Sequence, residues 1–423
     1  MSFNYSAIKK LPSYMPWLIW GLACMFYFYE SLLQMSLSVI GTELMRDFSV
    51  TSKTLGFLAG IYFYSYAFMQ IPGGMMMDYF GPQRLISLAA LICGISTIAF
   101  GLTNSFFTAC LARLMIGFGS AAAAVGCMKI ASCWFKPDRF PILTGLMVTI
   151  GMLGAIGGEG PLAIMIEHLG WRTSMLVMGA VGVLLAISIR LFAKDAPSSR
   201  MQYAKKDEPP LLSSLLTLMK QKQLWLVAVY GGLMYLSTPV FCGLWGVPFL
   251  MKKMHLSTTV AANNVSLIFV GWAVAGPLWG IFSNKLGLRK PPLFIASLGT
   301  LVLSLSFIFL PINSLVILAI IMFLFGVFSS AFLPAFTVVV ELCNRRYAAT
   351  ALSFMNMMNM IGIALAQPTI GCILDYMWRG EMENSVRVYS LTAYSAALSL
   401  LPICILISLL ILPFIKETYC RNV

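Results

Sequence analysis

The sequence predicts an all-α integral membrane protein with twelve transmembrane helices arranged as two six-helix bundles. Three observations lead there. Of the 423 residues, 59% are hydrophobic and 10% are charged, with a mean hydropathy of +0.87, whereas soluble domains carry roughly 25% charged residues. Twelve apolar runs are long enough to cross a bilayer. A polar interval at 194–222 separates six of them from the other six, and sequence features before it recur after it.

The runs span 15–40, 55–77, 84–103, 105–133, 141–166 and 172–193, then 223–250, 260–284, 291–311, 314–341, 347–374 and 389–415. Short polar punctuation separates several of them, such as "LTNS" before Phe106, "KPDRFP" before Ile142 and "LPINS" before Leu315. Helices are expected because backbone groups in hydrocarbon must be satisfied within the segment, and the alternating ten-residue strands of a β-barrel are not seen. The first run is too long for a signal-peptide core and contains Glu30, so it is expected to stay attached. The domain reading is a bundle at 1–193, a cytoplasmic linker at 194–222 with a short surface helix after Pro210, and a second bundle at 223–423.

The net charge of +13 is a topology signal rather than a nucleic-acid one. Of the 28 Lys and Arg, seven (Arg46, Lys53, Arg172, Lys252, Lys253, Arg379 and Arg387) fall on one side and Arg113 falls within a span. The other 20 lie on the side of both termini, which the positive-inside rule makes cytoplasmic. Ten scattered cysteines without CxxC spacing, and only His168 and His255, indicate neither a disulfide framework nor a metal cluster. The methionines of "MNMMNM" read as flexible packing rather than copper ligands, and no phosphate-binding loop is present. No cofactor, metal or enzyme activity is expected.

Two offsets suggest a duplicated unit with a substrate site between its copies. At 206 residues, Gly74, Asp78, Gly81 and Arg84 face Gly280, Asn284, Gly287 and Lys290. At 208 residues, Glu159 faces Gln367 and Glu167 faces Asp375.

A charge in hydrocarbon costs at least about 2.5–3.5 kcal/mol on insertion scales, so each one needs a reason. Glu30 sits midway along the first helix, where a partly dry site favours its protonated form and suits proton coupling; pairing with a nearby cation is the structural alternative. Arg113 and Glu159 come to similar depth on the antiparallel fourth and fifth helices, which predicts an intramembrane ion pair, either structural or broken by a proton or an anionic substrate group. Lys129 is expected to snorkel. In the second half, Tyr235, Asn356, Asn359 and Gln367 offer aromatic and amide contacts for an amphipathic solute, while Pro239 and Pro368 interrupt helices toward a cavity.

The stretch "GGMMMDYFGPQRL" resembles the signature of the major facilitator superfamily between helices two and three, although Pro82 and Gln83 stand where basic residues are usual. "RLMIGFGSA" from Arg113 and "WFKPDRFPILTG" are similar to the family's fourth helix and the loop after it. The resemblance implies the major facilitator fold. It also implies a cytoplasmic gate involving Gly74, Asp78, Gly81, Arg84, Asn284 and Arg289, in which the glycine lets helix two approach helix eleven.

"FYFYESLLQMS" most resembles a proteobacterial group that includes intraphagosomal amino-acid importers. The leading expectation is therefore a monomeric, proton-coupled importer of a small polar organic nutrient in the bacterial inner membrane, an amino acid being the narrowest form. Arg113 and Lys129 motivate an alternative, uptake of a carboxylate siderophore or other organic anion. Drug/proton antiport is disfavoured by Glu159 and a displaced Pro161 in the fifth helix. A non-transporting membrane receptor is disfavoured by the short loops.

Overall fold

The computed structural model describes residues 14–136, 139–193, 217–344, 347–383 and 386–421, apart from the side chains at 71, 78 and 141. The expected short helix after Pro210 falls largely in 194–216, outside the described residues.

Twelve long helices follow in order. The first bundle has α1 (Met15–Met35, continued by Leu37–Phe48), α2 (Ser52–Phe80), α3 (Pro82–Leu102), α4 (Phe106–Trp134), α5 (Ile142–Leu169) and α6 (Trp171–Phe192). The second has α7 (Lys222–Met254), α8 (Thr258–Leu286), α9 (Lys290–Phe309), α10 (Leu315–Leu342), α11 (Ala348–Tyr376) and α12 (Leu391–Phe414). Among the described residues, 11 of these helices are long and apolar enough to cross a membrane. The remaining one, α2, has the length at 29 residues but is diluted by glycine, tyrosine, serine and glutamine. Between α11 and α12 lies a small antiparallel hairpin of β1 (Met382–Glu383) and β2 (Val386–Arg387).

The duplication is visible in the helix bounds. Those of α8 are those of α2 displaced by 206 residues at both ends. The same displacement carries the break of α1 at Ser36 onto Cys242, inside a π-helical turn of α7 at Phe241–Trp245. Each interruption has a local cause. In α1, the hydroxyls of Ser36 and Ser38 donate to the carbonyls of Leu33 and Met35 at 2.8 Å, competing with the helical ladder. In α7, Pro239 removes a backbone donor just before the π turn. In α5, Pro161 has no N–H to continue the helical ladder, Glu159 is non-helical with φ −106° and ψ −101°, and α5 resumes at Gly160–Leu169. The first helix therefore runs to Phe48, beyond the predicted 40, because a hydroxyl-induced break bends it without ending it.

With twelve helices between them, the described ends lie on one side, here termed the termini face; the opposite side is the far face. The two bundles are held together toward the far face. Gly56 and Gly60 of α2 lie so close to Gln367, Pro368 and Ala364 of α11 that a Cβ at either would strike backbone, and Gly371 of α11 meets Ser52 in the same way. Beyond that seam, Lys53 N donates to Asp375 Oδ2 at 2.9 Å, and Thr259 of α8 donates to Glu167 of α5 at 3.0 Å. Toward the termini face α2 diverges: a Cβ at Gly74 would meet nothing within 4 Å, and Met75, Tyr79 and Phe80 are exposed. The close approach of α2 to α11 is therefore made at Gly56 and Gly60, not at the Gly74 that the family resemblance implied. The Asp78 side chain lies outside the described residues.

Replacing Gly56 by leucine is expected to lower stability by about 1–3 kcal/mol, the usual range for overpacking, and to raise hydrogen exchange at the far-face ends of α2 and α11. The same change at Gly74 should leave both thermal unfolding and exchange near wild type in this state.

Candidate functional site

Where the bundles face each other at mid-membrane they enclose a cavity of about 130 Å³, far more than the roughly 10–15 Å³ that one water needs by the same measure. The first bundle contributes Tyr27, Glu30, Ser31, Gln34 and Tyr66, and the second contributes Tyr235, Thr238, Phe269, Trp272 and Asn356. Aromatic rings form most of the second wall, with Tyr235, Trp272 and Phe332 in mutual contact: Tyr235 lies edge-on to Trp272 at 6.0 Å between centroids and tilted against Phe332 at 4.8 Å. Glu30 is the one carboxylate among the described lining residues, and no lysine or arginine lines it.

Glu30 is 2% exposed. Its Oε1 accepts from the Tyr62 hydroxyl at 2.7 Å and its Oε2 from Ser31 at 3.4 Å. The other face of the Tyr62 unit meets Arg113, whose guanidinium carbon sits 4.9 Å from the ring centroid, a cation–π distance. Arg113, also 2% exposed, donates through Nη1 to the Leu33 carbonyl at 3.1 Å. That carbonyl also receives the Ser36 hydroxyl at the α1 break.

The predicted ion pair between Arg113 and Glu159 is not formed. Glu159 is fully buried and its Oε2 lies 2.9 Å from Ser38 Oγ, beyond the break. Sequence depth placed both residues near mid-membrane, but α1 lies between them and each engages it on a different turn. The cation instead reaches Glu30, through Tyr62.

The four second-half candidates divide. Tyr235 and Asn356 line the cavity. Asn359 and Gln367 do not: both are fully buried, Asn359 beside Gly231 of α7 and Gln367 donating to the Pro239 carbonyl at 3.3 Å. Gln367 thus joins α11 to α7 just before its π turn, while the Asn359 amide packs against α7 at Gly231 and makes no hydrogen bond among the described residues.

The gate candidates also divide. Gly81 ends α2 with φ +84°, a left-handed value suited to glycine, and Arg84 is exposed at the start of α3. Asn284 and Arg289 come together on the termini face: Arg289 Nη1 donates to Asn284 Oδ1 at 2.8 Å, while Nη2 and Nε reach Glu341 at the end of α10 at 2.6 and 3.2 Å. Thr418 donates to the same carboxylate at 2.5 Å. Glu417 accepts from the backbone N–H groups of Arg289 and Lys290 at 2.8 Å each, placing a negative charge at the N-terminus of α9. Burial alone would push the Glu417 carboxyl up, but the N–H groups of Lys290, Arg289, Tyr419 and Thr418 outweigh it and hold it below the usual carboxylate range.

Sequence reasoning missed Tyr62, Tyr66 and Trp272, which have no local signature among so many aromatics, and Ser38, whose role depends on a helix break. Glu341 was legible as a carboxylate closing an apolar run.

A membrane protein of two similar six-helix halves around a solute-sized cavity has the architecture of a transporter. The Major Facilitator Superfamily family model matches residues 19–367 and again 240–418, and the chain belongs to that family of membrane transporters. Among curated relatives, a probable sulfoacetate transporter of Cupriavidus necator is 25% identical over 190 residues, 45% of this chain and 44% of that protein. The chain thus matches less than half the length of that relative. The membrane sensor protein UhpC of Salmonella typhimurium is 24% identical over 412 residues, covering 91% of this chain and 89% of the other. Among solved structures, a bacterial homologue of the human lysosomal transporter Spinster, in an inward-facing and unoccupied conformation, shares the fold at TM-score 0.76 and 18% identity over 96% of each chain.

Two outcomes are expected. Tyr62→Phe leaves a buried Glu30 oxygen without its donor and should cost about 1–3 kcal/mol, read by chemical denaturation in detergent. For Glu417, whose pKa is depressed by folding, the stabilising contribution is present above the unfolded carboxylate value near about 4.3 and is lost as pH falls through the lower folded value. Wild type and Glu417→Gln should therefore differ in thermal stability at neutral pH and converge in acid; a constant gap across the acid range would contradict the assignment.

Proposed function

We propose that the protein is a proton-coupled secondary transporter of the bacterial inner membrane, importing a small polar organic solute by alternating access. The observation that carries this is the Glu30 cavity, shared by both halves, sealed toward the far face by the α2–α11 seam and bordered by diverging helices toward the termini face. With the termini face cytoplasmic, as the distribution of Lys and Arg supports, this is a state closed to the outside. Glu30 is the proton-coupling or substrate-binding carboxylate, Tyr235 and Asn356 contact the solute, and Asn359 and Gln367 hold the wall behind them. Gly74, Asp78, Gly81, Arg84, Asn284 and Arg289 form the cytoplasmic gate of the alternate state. An amino acid is the narrowest form of the proposal and rests on sequence resemblance alone.

A second reading, uptake of an organic anion, is favoured by the sulfoacetate relative and by Arg113. It requires the guanidinium to leave the Leu33 carbonyl and the Tyr62 ring, since no cation lines the cavity among the described residues. The likeness to a membrane sensor over 91% of this chain supports a third, signalling without flux.

A thermal-shift screen of purified protein against amino acids, peptides, sulfoacetate and other organic acids separates the first two. A ligand at a hundred times its Kd should add about 2.7 kcal/mol. In proteoliposomes, Glu30→Gln is expected to abolish proton-driven accumulation of the hit while counterflow exchange persists. Accumulation equal to wild type would remove Glu30 from coupling, and binding without any flux would favour the sensor reading.

A further inference from the structure

The bundle interface holds a second cavity of about 120 Å³ on the far side of the α1 break, lined by Ser38, Thr42, Glu43, Trp245 and Tyr394. Met35 and Ala155 belong to the central cavity, Ser38 to the far one. Glu159, one helical turn beyond Ala155 and bonded to Ser38, stands in the wall between them.

The hydrogen bonds of that wall do not balance if Glu159 is ionised. Ser38 Oγ lies 2.8 Å from the Met35 carbonyl and 2.9 Å from Glu159 Oε2. A carbonyl and a carboxylate are both pure acceptors, and a serine hydroxyl has one proton. With the hydroxyl proton directed at the Met35 carbonyl, the second contact takes its proton from the other partner, and a carboxylic acid can supply it. The surroundings agree. Glu159 is faced by Ser38 from α1, by the Cys242 thiol from α7 and, next to Gly160, by the Asn263 amide from α8. Its Oε1 has no partner in the protein, and no cation reaches it among the described residues. The same residue sits on the closure between the bundles, since Gly160 abuts Asn263 and Thr259 bonds Glu167 two turns further on.

We propose that Glu159 is a proton site separate from Glu30, loaded from the far cavity through Ser38, and that its protonated form holds the far face closed. In loading, a hydronium in the far cavity gives a proton to Ser38 Oγ. Ser38 passes its own proton to Glu159 Oε2, and the new hydroxyl turns to the Met35 carbonyl while the acid donates to Ser38. Parting α5 from α8 wets the carboxyl and returns the proton to the far side, so the site gates the far face and does not itself carry a proton across. As a gate of transport this rests on the transport reading, but the proton site can be tested without a substrate.

Infrared spectra of reconstituted wild type at neutral pH should contain a deuterium-sensitive protonated-carboxyl stretch that disappears in Glu159→Gln and survives in Glu30→Gln. Ser38→Ala should keep the band and shift it, because the acid loses its partner. After correction for intrinsic rates, hydrogen exchange at the far-face ends of α2 and α8 should rise with pH in wild type. It should stay low in Glu159→Gln, whose amide still donates to Ser38. A band that persists in Glu159→Gln, or a pH response identical in both proteins, overturns the proposal. If Glu159→Gln does not fold, an unshifted band in Ser38→Ala overturns it. A wild type with the band and the gate response but no flux for any solute would sink the transport reading and leave this site standing.

Discussion

Among the described residues of the first bundle, the three buried charged side chains are organised by α1. Glu30 belongs to it, Arg113 bonds its Leu33 carbonyl, and Glu159 bonds its Ser38 hydroxyl. Each such group is costly in hydrocarbon and persists only where polar partners are fixed in advance. The break at Ser36 fixes them: its two serines disturb the ladder and present a carbonyl on one turn and a hydroxyl on another. Straightening α1 would leave Arg113 and Glu159 short of partners at once. The central cavity and the far cavity also meet at this break.

The two halves share a frame but not a chemistry. The displacement that carries α2 onto α8 carries Glu30 onto Leu236, and Glu159 corresponds to Gln367. Among the described residues lining the two cavities, the carboxylates Glu30 and Glu43 come from the first bundle, while the second presents mainly rings, hydroxyls and an amide. An amphipathic solute between such walls meets a polar side and an aromatic one, and sliding or rocking of the bundles changes which groups of each wall are wet.

The termini face shows the same inequality. Asn284 stands where the first half has Asp78, so Arg289 turns its bidentate contact to Glu341 and uses Asn284 only as an acceptor. The chain after α12 is drawn into this cluster through Thr418 and Glu417. In the second bundle this termini-face cluster is therefore tied internally, and contacts at the opposite end, the α2–α11 seam and the Thr259–Glu167 bond, join the bundles.

The sequence by itself determined the membrane class, the twelve helices, the duplication and the short list of charges that needed an explanation. These follow from hydropathy and spacing, which are properties of the chain read along its length. It also singled out Glu30, Tyr235 and Asn356, which the fold brings to the central cavity, because depth along a helix can be counted. Only the tertiary structure decided partners: that Arg113 meets Leu33 and Tyr62 rather than Glu159, that Asn356 faces the cavity while Asn359, one turn away, does not, and that Gly56 and Gly60 rather than Gly74 bring the bundles together. The physical reason is rotational. A one-residue step turns a side chain by about 100° around a helix, and which way it then points is set by packing between helices distant in sequence, in an interior where no solvent compensates a wrong choice.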